Sequence, residues 1–170
     1  MPIIYDEKKR VFKLDTPNTT YAFHVTNSNH LLHLYYGASI PETDITHMLR
    51  IPNDEPFVPS THDGMGPHSF DCAAIEFPTS GVAEPCMQLM DKYGMSACEC
   101  YYDSCAIYKG KKKLEGLPAT YANTDDEVTS LEVYCKDPHN GLEITLQYSV
   151  FEKLDVITRS VKVKNGGADP

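Results

Sequence analysis

Two sets of side chains in this sequence are of types that perform chemistry. Asp125, Asp126 and Glu127 are three acids in succession, and paired carboxyls can cleave bonds as acid–base or nucleophile when a rigid frame fixes their separation. These three sit in a polar stretch between strand-like runs, where adjacent acids read as a solvated turn rather than a catalytic pair. Cys98, Cys100 and Cys105, with His24, His30, His33, His47, His62 and His68 upstream, are ligand types for zinc. Structural zinc takes its cysteines in pairs about two to four residues apart, whereas Glu99 alone separates Cys98 from Cys100. His30 and His33 flank Leu31 and Leu32 on a strand and point to opposite faces, so they do not share a metal. We expect no metal site and no cofactor.

The elements that must hold these groups are strands. Leu142, Ile144, Leu146, Tyr148 and Val150 share one face at the two-residue period, with Glu143, Thr145, Gln147 and Ser149 on the other. After a polar break from Phe151 to Asp155, Ile157, Arg159, Val161 and Val163 alternate with Thr158, Ser160 and Lys162, and the run ends at Asn165-Gly166-Gly167. The two runs predict adjacent antiparallel strands. Residues 20–36 predict a hairpin around Asn27-Ser28-Asn29, and further strands are expected at Val11–Leu14, Cys72–Phe77, Met87–Leu89, Cys100–Tyr108 and Leu131–Cys135. The fold class that follows is all-β, an antiparallel sandwich with little or no helix. Ile45, Met48 and Leu49 give the one helical hint, within Pro41–Arg50. From Gly37 to about His68 the chain is rich in Pro and Gly with few paired apolar positions, a length that marks a binding loop, a lid or disorder.

The run Gly141–Ser160 resembles the amino-terminal domain of glycoside hydrolase family 36, the bacterial and fungal α-galactosidases. Their Gly-Leu-Glu-(Val/Ile)-Thr-Leu strand, followed by Phe-Glu-(Asp/Lys)-Leu-Asp-Val-Ile-Thr-Arg-Ser, is matched here at Gly141–Leu146 and Phe151–Ser160. Three more blocks agree in order: Tyr35–Gly37, Glu76–Thr79, and Ile107–Lys111 running on to Leu114–Tyr121. The resemblance implies that residues 1–170 are the amino-terminal sandwich region, part of a β-supersandwich, of a larger glycosidase whose catalytic barrel lies outside them. It also implies that a complete enzyme hydrolyses terminal α-galactosides. A retaining glycosidase needs two carboxyls about 5 to 5.5 Å apart; no motif here resembles the family's barrel aspartates, so no catalytic residue is assigned.

In family members that assemble as tetramers, the long loop of this domain places an acid and a nearby aromatic at a neighbouring subunit's pocket. The Asp-x-x-Phe-x-Pro pattern puts that acid at Asp54, with Phe57 and Pro59 following. A carboxylate there accepts hydrogen bonds from vicinal sugar hydroxyls; equally, Asp54 reads as a turn residue beside Pro56. Tyr35 and Tyr36 suit stacking on galactose or packing at a strand end; packing is expected for Tyr35, and Tyr36 stays a candidate for substrate binding. One block departs from the family: where relatives read Gly-x-Gly-Asp-Phe-Arg after Glu-Phe-Pro-Thr, this chain has Ser80–Cys86. A stand-alone carbohydrate-binding or structural interaction domain is the alternative reading.

Composition narrows the partners. The net charge is -9, against nucleic acid, since the basic run of Lys109 and Lys111–Lys113 reads as a solvated turn. No apolar stretch reaches the ~20 residues that span a bilayer, and the start lacks a secretory pattern, so the expected location is cytoplasmic, with all six cysteines reduced. An α-galactoside substrate in the complete enzyme and a homo-oligomeric assembly are the expected partners.

Overall fold

The computed structural model describes residues 1–41, 44–48, 75–79 and 85–167. Among them are eight strands in two antiparallel sheets. The first sheet is a meander of β1 (Ile3–Asp6), β2 (Val11–Asp15), β3 (Thr19–Val25) and β4 (Leu31–Ala38), each strand paired with the next. The second repeats the plan with β5 (Tyr101–Lys109), β6 (Thr129–Lys136), β7 (Leu142–Phe151) and β8 (Val156–Asn165). The all-β sandwich read from the sequence is thus the architecture. The helical content of the described residues is confined to single 3-10 turns, one of them Thr46–Met48 where a helix was hinted.

Phe12, Leu14, Phe23 and Val25 from the first sheet and Leu131, Val133, Leu146 and Tyr148 from the second belong to one buried core. Its spine is aromatic: Tyr5 stacks on Phe12 (ring centroids 4.1 Å), Phe12 on Phe23 (4.8 Å) and Phe23 on Tyr148 (5.3 Å), crossing from one sheet to the other. Each such fully buried side chain contributes roughly 1.5–3 kcal/mol, and the ring contacts add directionality. The alternation of β7 is as predicted, with Leu142, Ile144, Leu146, Tyr148 and Val150 all buried. Phe151, placed in the polar break by the sequence, instead completes β7 and is buried. The break is the 3-10 turn Glu152–Leu154, closed by Asp155 in the left-handed region at φ 56°.

The first sheet buries both faces. Val11 and Ala22 pair with Ile45 in a second small cluster, against which Leu34, Tyr35 and Ile40 pack. Lys13 anchors the covering segment by donating from Nζ to the Ile40 carbonyl (2.6 Å) while pairing with Asp15 (2.8 Å). The start of the long loop therefore lies against the sheet; its continuation from Leu49 to His68 lies outside the described residues.

Three expectations need amending. Strand β1 was not foreseen, because four residues are too short for alternation to register; the turn after it is held by Arg10, whose guanidinium reaches the Thr26 carbonyl (2.7 Å) and Asn29 Oδ1 (2.5 Å). Met87–Leu89 is no strand: Met87 and Leu89 pack on the core from an irregular segment. Of Cys72–Phe77, residues 72–74 lie outside the described set, and Ile75 makes a single bridge to Leu32.

Candidate functional site

The segment 75–79 lies beside β4, through the Ile75 bridge to Leu32, and brings one acid into the interior of the sandwich. The Glu76 amide donates to the Leu31 carbonyl (2.9 Å), which turns the side chain inward until it is 2% exposed. Its Oε1 accepts hydrogen bonds from the hydroxyls of Tyr148 (2.6 Å) and Tyr21. Arg159, on β8, donates from Nη2 to the Glu76 carbonyl oxygen (2.5 Å) and sets Nη1 3.5 Å from Oε1. His33 Nδ1 stands 3.7 Å from Oε2. Burial alone would push the Glu76 carboxyl up; His33, the Arg159 charge and the two phenols together hold it below the usual glutamate value. The same burial and the adjacent carboxylate raise the Tyr21 and Tyr148 phenols, which therefore stay protonated and remain donors.

Around this cluster opens a cleft of about 220 Å³ lined by Thr19, Tyr21, Tyr36, Asp155, Ile157 and Arg159. Tyr36 is 68% exposed at its rim, edge-on to Tyr21 (6.0 Å). The Arg159 guanidinium lies 5.8 Å over the Tyr148 ring. Asp155 accepts from Thr16 Oγ1, the Asn18 amide (3.2 Å) and Asn18 Nδ2 (3.0 Å), fastening the β7–β8 turn to the β2–β3 turn. Aromatic rings beside a forked cation and hydroxyls suit a neutral polyol, which presents both an apolar ring face and hydrogen-bonding edges. Asp155, which lines the cleft, and Glu76, in the cluster beside it, are both taken up by structural donors.

Of the residues named from sequence, Tyr36 stands in this cleft, whereas Tyr35 packs on the small cluster and bonds the Ala38 carbonyl (2.8 Å). Asp54, Phe57 and Pro59 lie outside the described residues, as does most of the departing block from Ser80. Asp125–Glu127 is a 3-10 turn: Asp126 pairs with Lys109 at 2.6 Å, both exposed, and Glu127 accepts the Asn123 amide (2.9 Å). Among the described residues no group of three or more His, Cys, Asp or Glu side chains is arranged to hold a metal. His30 and His33 part company, His30 against the Tyr101 ring and His33 toward Glu76. Glu76, Tyr148 and Arg159 were not foreseen as a unit. A signal existed: Arg159 shares the inward face of β8 with Ile157 and Val161, and an arginine among apolar neighbours requires an acid.

The cleft and the Glu76 cluster beside it draw on three of the separate sequence blocks, through Tyr36, Glu76 and Arg159. Its setting is a two-sheet antiparallel sandwich, and comparison with known proteins is specific. The model of the glycosyl hydrolase family 36 N-terminal domain matches residues 29–170. α-Galactosidase AgaA of Geobacillus stearothermophilus is 32% identical over 173 aligned positions, covering 99% of this chain and 24% of the relative. Among solved structures, the galactosidase domain of the α-galactosidase–sucrose kinase AgaSK of Mediterraneibacter gnavus superposes with a TM-score of 0.86 at 32% identity, covering 98% of this chain and 24% of that one. A substituted AgaA solved in complex with raffinose gives 0.81 at 31% identity, covering 94% and 22%. The chain belongs to the glycosyl hydrolase family 36 N-terminal domain family, and it spans about a quarter of the length of these relatives.

Proposed function

We propose that this chain is the non-catalytic amino-terminal region of an α-galactosidase, and that the complete enzyme hydrolyses terminal α-galactosides as a cytoplasmic homo-oligomer. The observation that carries the reading is family membership over residues 29–170, with relatives that are α-galactosidases. Hydrolysis with retention needs a nucleophile and an acid–base carboxyl on opposite sides of the scissile bond. The buried acids described here are engaged by hydrogen bonds that fix the fold, which supports placing that pair elsewhere. The region's share is then to shape the substrate side: Tyr36 by stacking on a sugar face and Asp54, in the long loop, by accepting from vicinal hydroxyls of a galactoside. A raffinose-bound relative supports this substrate class.

An assay with an aryl α-galactoside tests the proposal. Residues 1–170 alone should show no turnover above buffer, and a protein joining them to a family 36 catalytic segment should hydrolyse it. Turnover by residues 1–170 alone would overturn the non-catalytic role. A joined protein that folds and binds galactose without hydrolysis would favour a carbohydrate-binding domain instead.

A further inference from the structure

The outer face of the second sheet is polar, yet part of it is buried. Glu132, on β6, has a side chain 5% exposed and accepts four hydrogen bonds: from Lys112 Nζ (2.7 Å), the Tyr134 hydroxyl (2.6 Å), Gln147 Nε2 (3.1 Å) and the Tyr108 hydroxyl (3.2 Å). Four donors fill a carboxylate, so Glu132 serves to orient its neighbours. Gln147 Oε1 accepts from Ser160 (3.3 Å), and the amide is thereby fixed at both ends. Cross-strand register makes this a row, Glu132 opposite Gln147 opposite Ser160, with a second row of Tyr134, Thr145 and Lys162 beside it. The segment 112–117 lies along these rows and leaves a groove of about 540 Å³ between itself and β6–β8.

We propose that this groove binds a neutral oligosaccharide, at a place separate from the Tyr36 cleft. Of the five charges that line the groove, Lys112 pairs with Glu132 at 2.7 Å, and Glu115 offsets one of the two other lysines, Lys113 and Lys162, so a net charge of one remains and the phosphate titration below discriminates a neutral ligand from an anion. Beside these charges the groove presents uncharged hydrogen-bonding capacity: the hydroxyls of Thr145 and Ser160 and the second amide proton of Gln147. Tyr134 and the 63% exposed Leu117 add apolar surface. Adjacent strands place these groups about 4.8 Å apart, close to the length of one hexose residue. A groove crossing three strands therefore matches two or three sugars. Side chains held by a buried network present their bonds at little entropic cost, which is what recognition of a flexible polyol needs.

The test is fluorine NMR of the protein labelled with 3-fluorotyrosine, with the Tyr134 and Tyr36 resonances assigned through Tyr134→Phe and Tyr36→Phe. Raffinose, maltotriose and inorganic phosphate are titrated in turn. A trisaccharide should move the Tyr134 resonance saturably, and Gln147→Ala should weaken that response by about tenfold, one hydrogen-bonding side chain's worth. The exposed Lys162→Ala, which leaves the network intact, should weaken it by about threefold. The inference fails if Tyr134 is unmoved by both trisaccharides, if phosphate displaces them, or if neither substitution changes the response. Movement of Tyr36 alone would support a sugar contact at the cleft while overturning the groove, and movement of Tyr134 alone would do the converse.

Discussion

At the scale of residues, Glu76 links more of the structure than any other acid described. Its carboxylate is buried, whereas its charged partners Arg159 and His33 are each more than a third exposed, so solvent screens part of their pairing with it. Its carboxyl titrates lower in the folded protein than in the unfolded chain, so the unfolded chain takes up the proton first as pH falls. The stability that Glu76 contributes is therefore complete above the ordinary glutamate value of about 4.3 and is lost progressively as pH drops below it. Melting temperatures of the protein and of Glu76→Gln, measured from about pH 6 to about pH 3, should differ most at the upper end and converge at the lower. A difference that stays constant with pH would remove Glu76 from the acid response. Tyr36 was named from its own sequence block, and the structure places it at the cleft rim. Glu76 stayed hidden because its partners Tyr21, Tyr148 and Arg159 lie 55, 72 and 83 positions away.

At the scale of elements, legibility followed length and face. β7 and β8 have ten residues each, long enough for alternation to fix both strand and register. β3 was harder, since Ala22 and His24 are buried on the opposite face from Phe23 and Val25, which blurs the inside–outside signal. The irregular segment 85–97 carries apolar residues without period, and its packing is decided by the sheets it meets. β8 ends the order of its sheet, and Val156 and Val163 are 40% and 46% exposed. An edge strand with apolar side chains templates pairing with another chain. Light scattering of residues 1–170 should show self-association that rises with concentration, and Val163→Lys should reduce it, since edge lysines oppose such pairing. A strict monomer at high concentration would show that the edge is already protected.

At the scale of the whole molecule, the active assembly is where the long loop is to be judged. In a complete enzyme, Asp54→Ala should raise KM for the galactoside by about tenfold or more and change kcat much less, because a carboxylate–hydroxyl bond of roughly 1.5–3 kcal/mol is made to substrate and transition state alike. A slightly lower Tm with KM unchanged would assign Asp54 to the turn and not to the sugar. The fold class could be read from the alternation within single strands and the family from contiguous residue blocks; the cleft could not, because it is made where the two sheets meet. That arrangement also has a consequence for synthesis. The four described strands of the first sheet end at Ala38, yet the strands that cover Phe12, Leu14 and Phe23 end at Phe151, about a hundred residues later. At about 5–20 residues per second on the ribosome, an aromatic face stands open for on the order of ten seconds in every nascent chain. Until β6 and β7 emerge, that face is unshielded apolar surface, which makes the nascent chain prone to aggregation.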